Sequence, residues 1–143
     1  MHGILGRTAG RVAEATPHYL EALRLNPASA EAHNNVGNAR LMALKTAEAI
    51  AQYEAALRLD AGYVEARNNL GYALLVRGDA AAAAAQFDEV LRIKPDFAEA
   101  HNNLGEARLQ LGQRAEAARQ FERALELKPD YARARRNLER TRP

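Results

Sequence analysis

The strongest constraint on this chain is a short motif that returns every 34 residues. Three copies contain two asparagines followed by an apolar residue and a glycine, and a fourth copy keeps the second asparagine and the apolar residue. A chain that repeats at this period stacks copies of one supersecondary unit, and such stacks act through an extended surface. The sequence therefore predicts a binding scaffold in preference to a catalytic pocket. Positions that keep the spacing are Gly37, Gly71 and Gly105; Ala49, Ala83 and Ala117; Tyr53, Phe87 and Phe121; and Leu57, Leu91 and Leu125.

The period divides the 143 residues into units of a single domain. Within a unit, apolar residues at helical spacing form two stripes separated by a short break, which predicts two antiparallel helices. The composition, with 48% hydrophobic, 27% charged and only 6% aromatic residues, agrees with an all-α fold. The predicted units are a partial repeat at 1–29, full repeats at 30–63, 64–97 and 98–131, and a C-terminal capping helix at 132–143.

These motifs together resemble the tetratricopeptide repeat, and the resemblance covers nearly the whole chain. It implies a right-handed superhelical solenoid of antiparallel helix pairs, in which the first helix of each pair lines a concave groove. It also implies a protein–protein interaction module. The chain departs from the family where a large aromatic often precedes the asparagines, because His33, Arg67 and His101 stand there. We expect these departures to affect packing within a unit but not the fold.

Carboxamides recur on the first helix of each unit, opposite the stripe that packs inward. Neighbouring units lie on the order of 10 Å apart, which an extended peptide covers in about three residues. A carboxamide supplies both the donor and the acceptor that a peptide backbone needs. We therefore predict that an asparagine ladder binds an extended peptide or protein segment; the alternative is that these amides only bond within the array. The predicted peptide-binding residues are Asn35, Asn69, Asn103 and Asn137, then Asn34, Asn68 and Asn102, and one turn later Asn38, Tyr72 and Glu106.

Two charge patterns bear on the partner. The acidic row Glu31, Glu65 and Glu99 favours a basic peptide, or it only complements the dipoles of the helices that it begins. Chaperone-binding members of the family hold a terminal carboxylate in a clamp that requires cationic residues. Asn38 and Asn69 match its asparagines, but the cationic positions hold other residues, so no such clamp is predicted. The residues at those positions are Asn34, Glu99 and Asn103.

The two ends of the chain differ. Residues 132–143 carry five arginines against Glu139, which indicates a solvated cap over the apolar end of the stack. A phosphate-binding patch is the weaker alternative, because aromatic residues for base stacking are missing nearby; no nucleic-acid partner is predicted. The front lacks a complete first helix, and Pro17 lies inside the helix that follows. Either the chain is part of a longer repeat protein, or a partner completes the missing layer. The alternative to a peptide-binding scaffold is a structural module that forms head-to-tail homo-oligomers through these two ends.

Other functions find little support in the sequence. There is no cysteine, no phosphate-binding glycine loop and no motif around the single serine, so no enzymatic activity and no cofactor is predicted. His33 and His101 lie two units apart, roughly 20 Å, too far to share a metal ion; we expect them to be packing residues. No apolar stretch approaches the roughly 18 residues that span a bilayer, and no secretion signal is evident. The sequence therefore predicts a cytoplasmic protein with no membrane partner.

Overall fold

The fold is known from a computed structural model that describes residues 9–143, all of whose regular structure is helical. Residues 1–8 of the predicted partial repeat lie outside the described residues. The all-α prediction is confirmed. The helices are α1 (Ala9–Leu25), α2 (Ala30–Met42), α3 (Thr46–Leu59), α4 (Val64–Val76), α5 (Ala80–Ile93), α6 (Ala98–Gln110), α7 (Arg114–Leu127) and α8 (Ala132–Glu139).

Each helix packs against the next along the chain, so the molecule is a solenoid of helix pairs. The pairs are α2–α3, α4–α5 and α6–α7, with α1 as a second helix before them and α8 as a first helix after them. The first helices α2, α4, α6 and α8 also contact one another in sequence, whereas within residues 9–143 no second helix contacts another. The row of first helices is therefore the tighter, inner row, and it forms the concave side of the stack.

A glycine on each first helix allows the ring of an aromatic residue on the second helix to lie against the backbone. A Cβ atom on Gly37 would lie 2.6 Å from the Tyr53 ring, and one on Gly71 would lie 2.5 Å from the Phe87 ring. Gly105 and Phe121 repeat this contact. All three rings are fully buried. The 34-residue spacing of glycine and aromatic therefore reflects one packing contact that sets the distance between the helices of a pair.

The turn inside each unit ends the first helix with a residue in the left-handed conformation. Gly78 and Gly112 have φ of 89° and 77°, and the following residue donates its backbone N–H to the carbonyl five residues earlier, as in a Schellman motif. In the first unit Leu44 takes this place with φ of 61°, and its side chain is 87% exposed. Leu44 is therefore a strained residue whose side chain gains almost no burial in return.

A polar brace joins each unit to the turn before it. His33 Nε2 lies 2.8 Å from the Pro27 carbonyl oxygen and Nδ1 lies 2.8 Å from Gln52 Oε1. His101 makes the same two contacts two units further along, with Pro95 and Gln120. Because a carbonyl oxygen only accepts, Nε2 must carry a proton in both rings. The residues expected to be packing residues are thus hydrogen-bonded bridges. Arg67 and Arg135 also bond to the turn, through the carbonyls of Ala61 and Pro129.

We predict that Gly71→Ala destabilises the array by about 1 to 3 kcal/mol, because the new methyl group overpacks against a ring that has no space to move. The matched control is Gly62→Ala, where the nearest atom to the new Cβ lies 3.7 Å away. Chemical denaturation followed by far-UV circular dichroism measures both changes. Equal midpoints for the two variants would contradict this account of the glycine repeat.

We predict that Leu44→Gly stabilises the protein by up to about 1 kcal/mol. The left-handed conformation costs a non-glycine residue roughly 1 to 2 kcal/mol, which the change to glycine removes. The greater chain entropy of glycine in the unfolded state offsets about half of this stabilisation. The reverse change, Gly78→Leu, should lower the melting temperature, although its side chain would meet no neighbour. A lower melting temperature for Leu44→Gly would show that this leucine makes a stabilising contact.

Candidate peptide-binding groove

The concave side presents two rows of side chains that cross the first helices. The leading row lies in the first turn of each helix, and the following row lies seven residues later on the same face. Each row changes from acidic or neutral to cationic at α8. The leading row is Glu31, Glu65, Glu99 and Arg133, and the following row is Asn38, Tyr72, Glu106 and Arg140.

Asparagines between these rows link each unit to the next. Asn69 Nδ2 donates to Asn34 Oδ1 at 3.1 Å, and Asn137 Nδ2 donates to Asn102 Oδ1 at 2.9 Å. Between them, the Asn103 side chain donates to Asn68 Oδ1 at 3.2 Å. The second asparagine of a unit thus always donates to the first asparagine of the unit before. A buried carboxamide ladder joins all the first helices of the stack.

Most of the predicted ladder is therefore inside the protein. Asn103 is fully buried (0% exposed), and its Oδ1 accepts no hydrogen bond from the described residues. Asn35 is only half-buried, because α2 has no first helix before it among the described residues. The structure brings the amides together, but as partners of one another. Their role in holding a peptide stays a prediction, and for the buried amides it would compete with the bonds between units.

Asn38 is the best-placed carboxamide for contact with a ligand. It is half-buried, and its Oδ1 accepts from the Tyr53 hydroxyl at 2.6 Å and from Asn69 Nδ2 at 3.2 Å. Burial raises the pKa of Tyr53, so the phenol stays protonated and donates. These two bonds fix the Asn38 oxygen and orient its amide nitrogen, which no described contact uses. That nitrogen is a donor held in place on the concave side.

At the other end of the following row, Glu106 belongs to a charged cluster. Arg133 Nη2 donates to both of its carboxylate oxygens at 3.2 and 3.3 Å, and Asn137 Nδ2 donates to one of them at 3.1 Å. The Arg133 guanidinium also lies 5.6 Å from the centre of the Tyr72 ring. Burial disfavours the charge on Arg133, but Glu106 and Tyr72 outweigh it and leave the pKa raised. The negative charge of the Glu106 carboxylate is therefore balanced by the positive charge of Arg133.

Two groove residues were not among the sequence predictions. Arg133 and Arg140 were assigned to a solvated cap, although the 34-residue period aligns them with Glu31 and Asn38. The same alignment that found the asparagines could have found them. Charge composition concealed this, because a cluster of arginines at a chain end is usually a solvated surface.

Within residues 9–143 there is neither a candidate metal site nor a candidate membrane-spanning helix. No group of three histidine or acidic side chains in residues 9–143 could hold a metal ion. None of the helices described is long and apolar enough to cross a membrane. The concave side, with its two rows of polar and charged side chains, is thus the candidate functional site.

Comparison with known proteins identifies the family. One tetratricopeptide repeat profile matches residues 1–63 and 37–98, and a second profile of the same description matches residues 98–131. The chain belongs to the tetratricopeptide repeat family, and its fold is the all-α solenoid of that family. A search of curated proteins found no match.

Solved structures resemble this one along most of its length. A structure of MamA superposes with a TM-score of 0.81 at 23% identity, covering 94% of this chain and 79% of that one, which shows the shared fold. The Arabidopsis OM64 TPR domain gives 0.77 at 26% identity, covering 79% of this chain and 93% of that one. The first TPR domain of Spaghetti (RPAP3), bound to the HSP90 peptide SRMEEVD, gives 0.77 at 25% identity, covering 79% and 90%.

We predict that Asn103→Ala lowers the free energy of unfolding by about 1 to 3 kcal/mol, because it leaves the buried Asn68 oxygen without its donor. Asn35→Ala is the matched control at the same register, and we expect a loss of less than about 1 kcal/mol because Asn35 joins no preceding unit. Urea denaturation of both variants measures the difference. If the two losses are equal, the ladder does not hold the units together.

Proposed function

We propose that this protein is an interaction scaffold whose concave groove binds an extended segment of a partner protein. The observation that carries the proposal is the pair of side-chain rows, which repeat across four first helices and face the inner side of the stack. A repeated pattern of this kind suits a repeated ligand, and an extended polypeptide repeats its backbone groups at the matching interval. The peptide bound to the similar RPAP3 domain supports the same mode of use.

The chemistry of the partner differs, in this proposal, from that of the RPAP3 peptide. Asn34 and Asn103 are neutral and engaged in the ladder, and Glu99 is acidic, at the positions where a carboxylate clamp needs cations. Glu31 and Glu65 are exposed in the leading row. We propose that this part of the groove, across α2 and α4, binds basic side chains. The dipole alternative assigns the same glutamates to stabilising the first turns of their helices.

The asparagines contribute to this proposal in two ways. Asn35 and Asn38 are half-buried and contact the ligand backbone directly. Asn69, Asn103 and Asn137 donate to other asparagines and hold the helices at the spacing that the ligand matches. In this proposal the groove remains the binding site. Some asparagines of the predicted ladder contact the ligand, and the others set the spacing of the first helices.

The test compares two double variants on an array of peptides that vary in charge. Glu31→Gln with Glu65→Gln should weaken binding to basic peptides by about tenfold, equivalent to about 1.4 kcal/mol, because two opposite charges facing the ligand are lost. Glu54→Gln with Glu122→Gln makes the same change of charge on exposed positions of the second helices. The control variant should bind as the parent protein does.

Fluorescence anisotropy of the best array peptides then gives dissociation constants at several salt concentrations. Binding that weakens with salt in the parent protein and not in the groove variant would support the assignment. If both double variants bind equally well, the glutamates serve the helix dipoles and not a ligand. If no peptide binds the parent protein above background, the scaffold proposal itself is wrong.

The alternative of head-to-tail self-assembly meets a steric obstacle. Completing the front of the stack would place α8 of one copy against α1 of the next, as the two helices of one unit. In that register Glu139 stands where each full unit has glycine, and Tyr19 stands where each has its packed aromatic ring. The glycine contacts already leave no space for a Cβ atom. The sequence of α8 therefore opposes this mode of propagation, and we favour the peptide-binding scaffold.

A further inference from the structure

The groove contains a pocket of about 230 Å³ at the end nearest α8. It lies where α4, α6 and α8 meet, so three consecutive first helices contribute to it. Both rows become cationic at this point, in contrast to the acidic part of the groove across α2 and α4. The side chains that matter here are Tyr72, Leu75, Val76, Glu106, Arg133 and Arg140.

The pocket carries a cation with free donors. Arg140 Nη1 donates to Asn137 Oδ1 at 3.0 Å, which orients the guanidinium, and none of its other side-chain donors bonds to a described residue. Glu106 also lines the pocket, but its oxygens already accept from Arg133 and Asn137. Two arginines against one carboxylate leave the pocket with a net positive charge. An incoming anion therefore meets Arg140, with the charge of Glu106 compensated behind it.

One wall of the pocket is apolar. Val76 is 52% exposed at the end of α4, and Leu75 beside it is buried. Arg133 lies over the Tyr72 ring and forms the boundary between this wall and the charged side. An apolar side chain of a ligand would bury the exposed surface of Val76 while an adjacent anionic group reached Arg140. The pocket is thus built for two neighbouring groups of different character.

We propose that this pocket binds a carboxylate together with an adjacent apolar side chain, as presented by an apolar residue next to aspartate or glutamate in a partner segment. The proposal rests on the proposed function and adds the direction in which the partner segment lies. Basic residues of the segment lie over α2 and α4, and its apolar residue with the adjacent acidic residue lies at α8. A carboxylate matches the planar fork of arginine and carries the single charge that the pocket neutralises. A phosphate dianion would face Glu106 with a charge in excess.

The experiment uses the full chain and a small probe, N-acetyl-Leu-Asp amide, which carries a single carboxylate, with N-acetyl-Leu-Asn amide as its uncharged counterpart. Titration is followed in ¹H–¹⁵N spectra through the side-chain Nε–H signals of the arginines. We expect the Arg140 signal to shift and saturate at roughly millimolar probe, because so small a ligand buries little surface. The uncharged dipeptide should bind at least about tenfold more weakly, since a charge-assisted hydrogen bond is lost.

Two variants locate the effect. Arg140→Gln should weaken the acidic probe by about tenfold, while Arg142→Gln, which removes the same charge from an exposed side chain outside the pocket, should leave it unchanged. Equal effects of the two variants, or equal binding of the two dipeptides, would overturn the proposal. Stronger binding of phosphoserine peptide than of aspartate peptide at Arg140 would overturn it in favour of a phosphate site. Array peptides that bind the parent protein and Arg140→Gln equally well would reject this pocket while leaving the scaffold function in place.

Discussion

The structure depends on the close approach of two helices at a glycine. An aromatic ring on the second helix lies against the backbone of the first at Gly37, Gly71 and Gly105, where even one methyl group has no space. This contact fixes the distance within each pair, and the pairs then stack through their first helices. Because the inner row is the tighter one, the stack curves and leaves a concave face. The groove is thus a consequence of the glycine contact repeated at a constant interval.

Much of the fold was accessible from the sequence, and the reason is the repeat itself. A contact that recurs every 34 residues keeps its residues at the same positions in every unit, so the period alone marks Gly71 and Phe87 as positions of the repeat. Leu44 was not found, because the turn glycines appear in only two of the three full units and its backbone strain has no counterpart in composition. Likewise, His33 and His101 were expected to pack, whereas their hydrogen bonds to turn carbonyls depend on atoms that a sequence pattern does not position.

The candidate site was less accessible, because a repeated polar residue has two physical explanations with the same sequence pattern. A carboxamide that faces a ligand and one that faces the next unit both recur once per repeat. Burial separates them: Asn103 is sealed within the array, and Asn38 remains half-buried beside the groove. Burial in turn depends on how closely the first helices approach each other, which no single unit determines. The ladder could therefore be located from the sequence but not divided into its two parts.

In our proposal, the terminal helix contributes both to the stability of the stack and to recognition. Asn137 continues the carboxamide ladder and so anchors α8 to the stack through Asn102. The same asparagine accepts from Arg140, which orients a cation toward the groove. Loss of the anchor would thus release the cation as well, so stability of the cap and charge at the end of the groove are coupled. A helix that only closed an apolar surface would not need Arg133 in its first turn or Arg140 directly after its end, both facing the groove. Their placement in the two rows is the reason that we propose α8 as the last recognition helix of the groove as well as its cap.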